Sequence, residues 1–190
     1  MVINSSSACS INSPPIRAQY RFRRSGLVNE FELIRTYFQR DPLDPSVTLG
    51  NGDDAAVVSQ HSDFETVVSV DSVIAGCHVP LMCPPDGFAA RLLGRGLSDL
   101  AAMGAEPQSV LLSLTLPTLE PGWIDHFASR FHQRCVRVGV DLIGGDTTKG
   151  PLSAHLTVLG QVPKGSAVTR SGLKSGDDRW LFGADLGGAR

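Results

Sequence analysis

The chain has 190 residues, of which 42% are hydrophobic and 19% are charged, and its formal net charge is −2. This length can bury a core without disulfides or a structural metal, which argues against intrinsic disorder and against a disulfide-stapled mini-protein. The charge lacks the basic footprint of a nucleic-acid binder, and uncharged stretches such as 72–85 and 107–119 are too short to span a bilayer. We therefore expect neither nucleic acid nor a membrane as a partner.

The first 29 residues contain four arginines, many serines and no acidic residue, and their apolar positions show no period. This composition predicts a flexible basic tail. An organellar transit peptide and an upstream start codon are alternative explanations, and the first is weakened because the segment contains no convincing amphipathic helix.

Ordered structure is predicted to begin at Glu30, where apolar residues recur at helical spacing until Asp41 and Pro42 end the helix. A short loop follows. The β-branched run at 66–70 predicts a buried strand with Asp71 at its carboxyl end.

The second half of the chain alternates helices and strands. A helix is predicted over 87–103, a strand over 109–116 and a helix from Pro121. The apolar stripe of that last helix consists of Ile124, Phe127, Ala128, Phe131, Cys135 and Val138. Further strands are predicted at 140–143, 154–162 and 179–182. The interleaved elements indicate an α/β or α+β fold.

The cysteines and the acidic residues indicate different chemistry. The four cysteines have no metal-ligand spacing and are predicted to be reduced, mostly buried thiols of a cytosolic protein. Aspartate outnumbers glutamate 14 to 5, although helix surfaces favour glutamate. Aspartate prefers loops, caps and metal sites, so the excess directs attention to metal binding.

Four segments place an aspartate beside glycine or another small residue: 50–54, 69–71, 97–100 and 144–148. Clustered carboxylates repel one another unless a cation lies between them, and oxygen donors select magnesium or calcium. The alternative for each is an ordinary turn or helix cap. For Asp99 the alternative is an ion pair with Arg95, four residues earlier on the same helix.

Two glycine-rich segments are candidate phosphate-binding loops. Residues 50–55 fit the dinucleotide pattern G-x-G-x-x-A, but Asp53 and Asp54 would oppose a pyrophosphate docked there. Residues 144–150 contain glycines and a lysine in an order that is not a Walker A sequence. Both segments therefore favour phosphate bound through a metal.

Five separated motifs resemble those of the thiamine-monophosphate kinase family, in the same order and spacing. They are EFELI at 30–34, GDDAA at 52–56, LSDLAAMGA at 97–105, GGDTT at 144–148 and TRSG at 169–172. The resemblance extends from about Glu30 to the end of the chain. It implies ATP-dependent phosphorylation of thiamine phosphate to thiamine diphosphate with several Mg²⁺ ions, in a cytoplasmic enzyme.

The resemblance also implies the architecture of the aminoimidazole ribonucleotide synthetase-like superfamily. The N-terminal domain of that fold has a mixed sheet with helices on one face and forms a homodimer through the sheet. The implied organisation is a basic tail at 1–29, an ATP- and magnesium-binding domain at 30–165, and a linker with the start of a truncated C-terminal domain at 166–190.

The residues that the resemblance assigns follow from the matching positions. The implied magnesium ligands are Asp54, Ser69, Val70, Asp71, Asp99 and Asp146. The implied ATP contacts are Gly145, Asp146 and Arg170, and His78 is the implied contact of thiamine phosphate. Val70 replaces a usual threonine, which matters little if its carbonyl makes the contact. No catalytic side chain is assigned, because the attacking phosphate oxygen is already anionic and needs no general base.

Some positions depart from the family pattern, including Asn51 for an apolar residue and Gly96 for the usual asparagine. Two other functions stay open. One is a truncated, non-catalytic module for dimerisation and Mg-nucleotide binding. The other is a superfamily enzyme that phosphorylates a different acceptor.

Overall fold

The computed structural model describes residues 30–51, 55–172 and 174–178. The described part of the chain begins with helix α1 (Glu30–Leu33), which continues as a π-helical segment, Ile34–Phe38. The Gln39 amide donates to the Ile34 carbonyl at 3.0 Å, a bond five residues long that defines the wider π turn. The predicted helix is therefore confirmed in place, although more than half of it is not α-helical.

Two short strands follow the first segment, and two long helices lie further along the chain. Strands β1 (Val47–Leu49) and β2 (Val57–Val58) form a small antiparallel hairpin that was not predicted. Helix α2 covers Pro85–Ala102 and helix α3 covers Pro121–Val138, close to the predicted spans.

The main sheet contains four strands. They are β3 (Phe64–Ile74), β4 (Glu106–Leu116), β5 (Asp141–Lys149) and β6 (Ser153–Pro163). Their order across the sheet is β3-β6-β4-β5, with β4 and β5 parallel and the other pairs antiparallel. The predicted mixed sheet is thus confirmed, and β3 and β5 form its two edges.

Both long helices pack on one face of this sheet. Alternate residues of β4 and β6 are buried on that face, among them Leu112, Leu156 and Val158. An aromatic group from α2 and α3 completes the core, in which Trp123 and Phe127 stack at 5.2 Å. The opposite face of the sheet carries no helix in the described part of the chain, and we call it the open face.

Three sequence predictions need correction. Strand β3 runs four residues beyond the predicted end, so Asp71 lies inside the strand rather than at its carboxyl end. Strand β3 is also only partly buried, because Val68 and Val70 are 59% and 64% exposed on the open face. Strand β5 continues through residues 144–149, so the glycine-rich motif is strand and not loop.

Smaller differences concern single side chains. Val138, predicted in the apolar stripe of α3, is exposed, because it lies at the last turn of the helix. Cys135 is buried as predicted, whereas Cys77 is exposed and Cys83 only partly buried. The tail at 1–29 and the predicted strand at 179–182 lie outside the described residues.

Candidate functional site: carboxylates on one helix and two edge strands

Strand β3 and helix α2 bring three of the predicted ligands together. Ser69 and Asp71 are two residues apart on β3, so both face the helical side of the sheet, paired with Val158 and Leu156. The Ser69 hydroxyl donates to Asp99 Oδ2 of α2 at 2.5 Å. The Asp99 side chain therefore reaches strand β3, and the alternative of an ion pair between Asp99 and Arg95 is not what the structure shows.

The Asp71 carboxylate is instead bound by Arg95, one turn before Asp99 on α2. Arg95 Nε donates to Oδ2 at 2.9 Å and Arg95 Nη2 donates to Oδ1 at 2.8 Å, in a two-point ion pair. The Ser72 amide adds a third bond, to Oδ1, at 2.7 Å. Partial burial raises the pKa of Asp71, but the bonds and charge of Arg95 and the Ser72 amide outweigh it, so the pKa lies below its ordinary value.

Gly145 and Asp146 lie on strand β5, at the opposite edge of the sheet from Asp71. Three inter-strand spacings of roughly 4.8 Å separate the two edge strands, or about 14 Å. Asp146 is paired with Ser113, and therefore belongs to the open face, whereas Asp71 belongs to the helical face. Within one chain, the structure does not bring Asp146 to Asp71 and Asp99.

Gly145 lies where β5 leaves no room for a side chain against β4. Its φ is +153°, and a Cβ at this position would lie 1.9 Å from the Leu112 carbonyl oxygen. Only glycine fits this backbone without displacement. The lack of a side chain at Gly145 is therefore needed for β4 and β5 to pair, independently of any ligand contact.

A shallow hollow lies at the outer edge of β5, beside Gly145 and Asp146. The residues that line it are Ile34, Phe38, Asn51, Leu112, Leu142, Gly144, Gly145, Asp146 and Thr147. Asn51 connects its two sides, because Asn51 Nδ2 donates to the Phe38 carbonyl at 3.2 Å and to the Leu142 carbonyl at 3.1 Å. Asn51, three positions before Asp54 in the sequence, is therefore held against β5.

The remaining predicted residues are more scattered. His78 is exposed in the turn after β3, where its Nδ1 accepts from the Ile74 amide at 3.1 Å. Arg170 is exposed in the irregular segment that follows β6. The Val70 side chain points to the open face, so only its backbone could contact an ion on the helical face. Asp54 lies outside the described residues.

The side chains that β3 and α2 contribute have the oxygen donors that a hard cation prefers, but they are too few to complete a metal site. Ser69, Asp71 and Asp99 offer only oxygen atoms, the donors that magnesium prefers. Across the described residues, no group of three or more His, Cys, Asp or Glu side chains is arranged to hold a metal ion. Ser69, Asp71 and Asp99 therefore fit magnesium as part of a site that further oxygen donors would complete.

Sequence reasoning did not assign a role to Arg95 or Asp141. The spacing of Arg95 and Asp99 predicts a contact within helix α2, because residues four apart are neighbours on a helix. Spacing along one helix cannot predict the observed contact of Arg95 with Asp71 on a strand. Asp141 is buried, and its Oδ2 accepts from the Leu43 and Asp44 amides at 2.7 Å each. The sequence signal that could have revealed this contact is the carboxylate of Asp141 near the start of the predicted strand at 140–143.

Comparison with known proteins identifies the domain. Residues 52–162 match the family model described as AIR synthase related protein, N-terminal domain. That span is more than half of the chain and includes β3, β4, β5, both long helices and all but the last residue of β6. The chain belongs to this family.

Two curated relatives of this chain are thiamine-monophosphate kinases. The chain is 42% identical over 156 residues to thiamine-monophosphate kinase of Escherichia coli K12, an alignment that covers 80% of this chain and 47% of the relative. It is 40% identical over 151 residues to the Haemophilus influenzae thiamine-monophosphate kinase, covering 79% and 46%. The chain thus spans about half the length of the curated relatives it matches.

Two solved structures share the fold of this domain. The crystal structure of thiamine-monophosphate kinase from Stenotrophomonas maltophilia K279a superposes with a TM-score of 0.61 at 40% identity, covering 65% of this chain and 39% of that one. Hydrogenase maturation protein HypE in complex with ATP, at 20% identity and a TM-score of 0.58, shares the fold alone.

Neither long helix of the described chain is long and apolar enough to cross a membrane.

Proposed function

We propose that this chain is the metal- and nucleotide-binding part of a thiamine-phosphate kinase, which transfers the γ-phosphoryl group of ATP to thiamine phosphate and forms thiamine diphosphate. The observation that carries the proposal is 40–42% identity to thiamine-monophosphate kinases over about four-fifths of the chain. An AaThiL structure complexed with AMPPCP and TMP has the same fold, at a TM-score of 0.52.

The chemistry of this transfer explains the need for carboxylates. ATP and thiamine phosphate are both anions, so the acceptor oxygen approaches the γ-phosphorus against electrostatic repulsion. Magnesium, when bound, supplies positive charge that offsets this repulsion and the charge on the equatorial oxygens in the transition state. The attacking group is a phosphate oxygen that is already ionised, so no side chain has to remove a proton from it.

The roles proposed for individual residues follow from their positions in the family motifs. Ser69, Asp71 and Asp99 hold magnesium on the helical side of β3, together with the Val70 carbonyl and Asp54. Gly145, Asp146 and Arg170 contact ATP, and His78 contacts thiamine phosphate. Because Asp146 lies at the other edge of the same sheet, it binds its ion apart from Asp71 unless a second copy of the chain brings the two edges together.

The magnesium assignment is tested by two conservative variants, Asp71→Asn and Asp146→Asn. Each keeps the side-chain shape but removes the charge, so phosphoryl transfer should fall by at least about 100-fold while the fold is retained. The assay uses ATP, Mg²⁺ and thiamine phosphate in a full-length context, with circular dichroism to check folding. Asp125→Asn, an exposed change on α3, is the matched control. Near-normal turnover of Asp71→Asn or Asp146→Asn would refute the proposal.

A second candidate is a non-catalytic module that binds Mg-nucleotide, because the chain aligns with only about half of each relative. The same 190 residues should be assayed for turnover and, by calorimetry, for Mg²⁺-dependent ATP binding. Binding without turnover supports the module, and turnover supports the kinase.

The open face of the sheet supports the proposed homodimer. Val68 and Val70 are exposed there, and an uncovered apolar sheet face favours association with another surface. Val68→Lys should shift the chain towards monomer in analytical ultracentrifugation. Val136→Lys is the control, because Val136 is equally exposed at 62% but lies on α3. Equal behaviour of both variants would contradict this interface.

A further inference from the structure

Arg95 occupies a carboxylate that the proposed kinase needs for metal. Its two bonds to Asp71, at 2.8 and 2.9 Å, engage both carboxylate oxygens, and the Ser72 amide engages Oδ1 a second time. A carboxylate has about four lone-pair positions, so three of them are filled. Little acceptor capacity is left on Asp71 for a cation.

The position of Arg95 makes this more than a surface ion pair. Arg95 is one turn from Asp99 on α2, and Asp99 is held by the Ser69 hydroxyl of the same strand that carries Asp71. The guanidinium therefore binds one carboxylate of the proposed metal site and belongs to a residue one helical turn from the one that carries the other. It reduces the combined charge of the two carboxylates from −2 to −1 and lowers the attraction of the site for a divalent cation.

We propose that Arg95 is a built-in competitor of the divalent cation: it neutralises Asp71 when no metal is bound and must give up at least one of its two hydrogen bonds when Asp71 binds a hard cation such as Mg²⁺ or Mn²⁺. The inference rests on the proposed function, because it takes Asp71 as a metal ligand. Since Arg95 and the cation compete for one carboxylate, each weakens the binding of the other by the same factor.

The test measures binding of Mn²⁺ alone to the 190-residue chain, by electron paramagnetic resonance of the unbound ion. Arg95→Met removes the charge and both donors while keeping an unbranched side chain, and it should bind Mn²⁺ about tenfold more tightly than the unmodified chain. Arg95→Lys keeps the charge but cannot make the two-point contact, and should fall between the two. Arg137→Met removes a charge from the last turn of α3 and should leave the affinity unchanged.

A second measurement needs no variant. The Arg95 Nε–H donates to Asp71, so its nitrogen resonance should move, and its exchange with water should accelerate, as Mg²⁺ is added. An Arg95 signal that is unaffected by saturating Mg²⁺ would overturn the inference even if Arg95→Met failed to fold.

Asp71→Asn separates failure of the inference from failure of the proposed function. If Asp71→Asn weakens Mn²⁺ binding but Arg95→Met does not strengthen it, the competition is refuted and the metal site stands. If Asp71→Asn leaves Mn²⁺ binding unchanged, the metal assignment of Asp71 is refuted, and the competition with it.

Discussion

Two glycines of helix α2 should respond in opposite directions to the same substitution. Gly96 is buried where α2 crosses β6, and a Cβ there would lie 2.8 Å from Val158 Cγ1 and 3.2 Å from Leu156 Cδ2. Gly94, half a turn earlier, is exposed and has nothing within 4 Å of such a Cβ. The two positions share a helix but differ in the space available to a methyl group.

The magnitudes follow from two competing effects. Replacing glycine by alanine inside a helix stabilises it by about 1 kcal/mol, because the unfolded chain loses freedom. At Gly96 the new methyl also overpacks a filled core, which costs about 1–3 kcal/mol. Gly94→Ala should therefore raise the free energy of unfolding by about 1 kcal/mol, or roughly 3 °C in Tm. Gly96→Ala should lower that free energy by about 1 kcal/mol, and Gly96→Asn should lower it further.

The assay is chemical and thermal denaturation of both variants, followed by circular dichroism. A double-mutant cycle with Val158→Ala tests the cause, because removing the Val158 methyls makes room for the new Cβ and should give a favourable coupling of about 1 kcal/mol. If Gly96→Ala stabilised the protein as much as Gly94→Ala, the steric argument would be refuted.

Three further predictions concern the core and the sheet. Burial and the charge of Arg40 lower the pKa of His132 from its ordinary value. As the pH drops, the unfolded state therefore binds a proton at higher pH than the folded state does. The free energy of unfolding should fall between pH 7 and pH 5. His132→Gln should remove this dependence in denaturation curves at the two pH values; an unchanged slope would contradict it. Gly145→Ala should cost at least about 3 kcal/mol because its Cβ would overlap the Leu112 carbonyl, and an unchanged Tm would show that the strands can separate. Burial raises the pKa of Cys135 to about 12, so mass spectrometry should find iodoacetamide on it only after unfolding, and equal labelling of the folded chain would refute that.

The elements with a strong period were predictable from the sequence. The stripe of α3 from Ile124 to Cys135 and the alternation of β4 from Val110 to Leu116 each match one buried face, because side-chain direction follows the local backbone period. The π-helical turn at 34–38 was not predictable, since it has the same apolar spacing as an α-helix over one turn. The small hairpin of β1 and β2 has only five strand residues and too little pattern to identify.

The aspartate motifs by themselves determined which residues belong to the candidate site and which donor atoms they offer. Only the tertiary structure decided how the residues are grouped. Asp99 reaches Ser69, two residues from Asp71, because β3 lies under α2, whereas Asp146 is about 14 Å from β3 at the other edge of the sheet. Arg95 pairs with a strand carboxylate 24 positions away and not with its helical neighbour. Local spacing specifies neighbours along one element, but strand order and register, which depend on contacts distant in sequence, specify neighbours between elements.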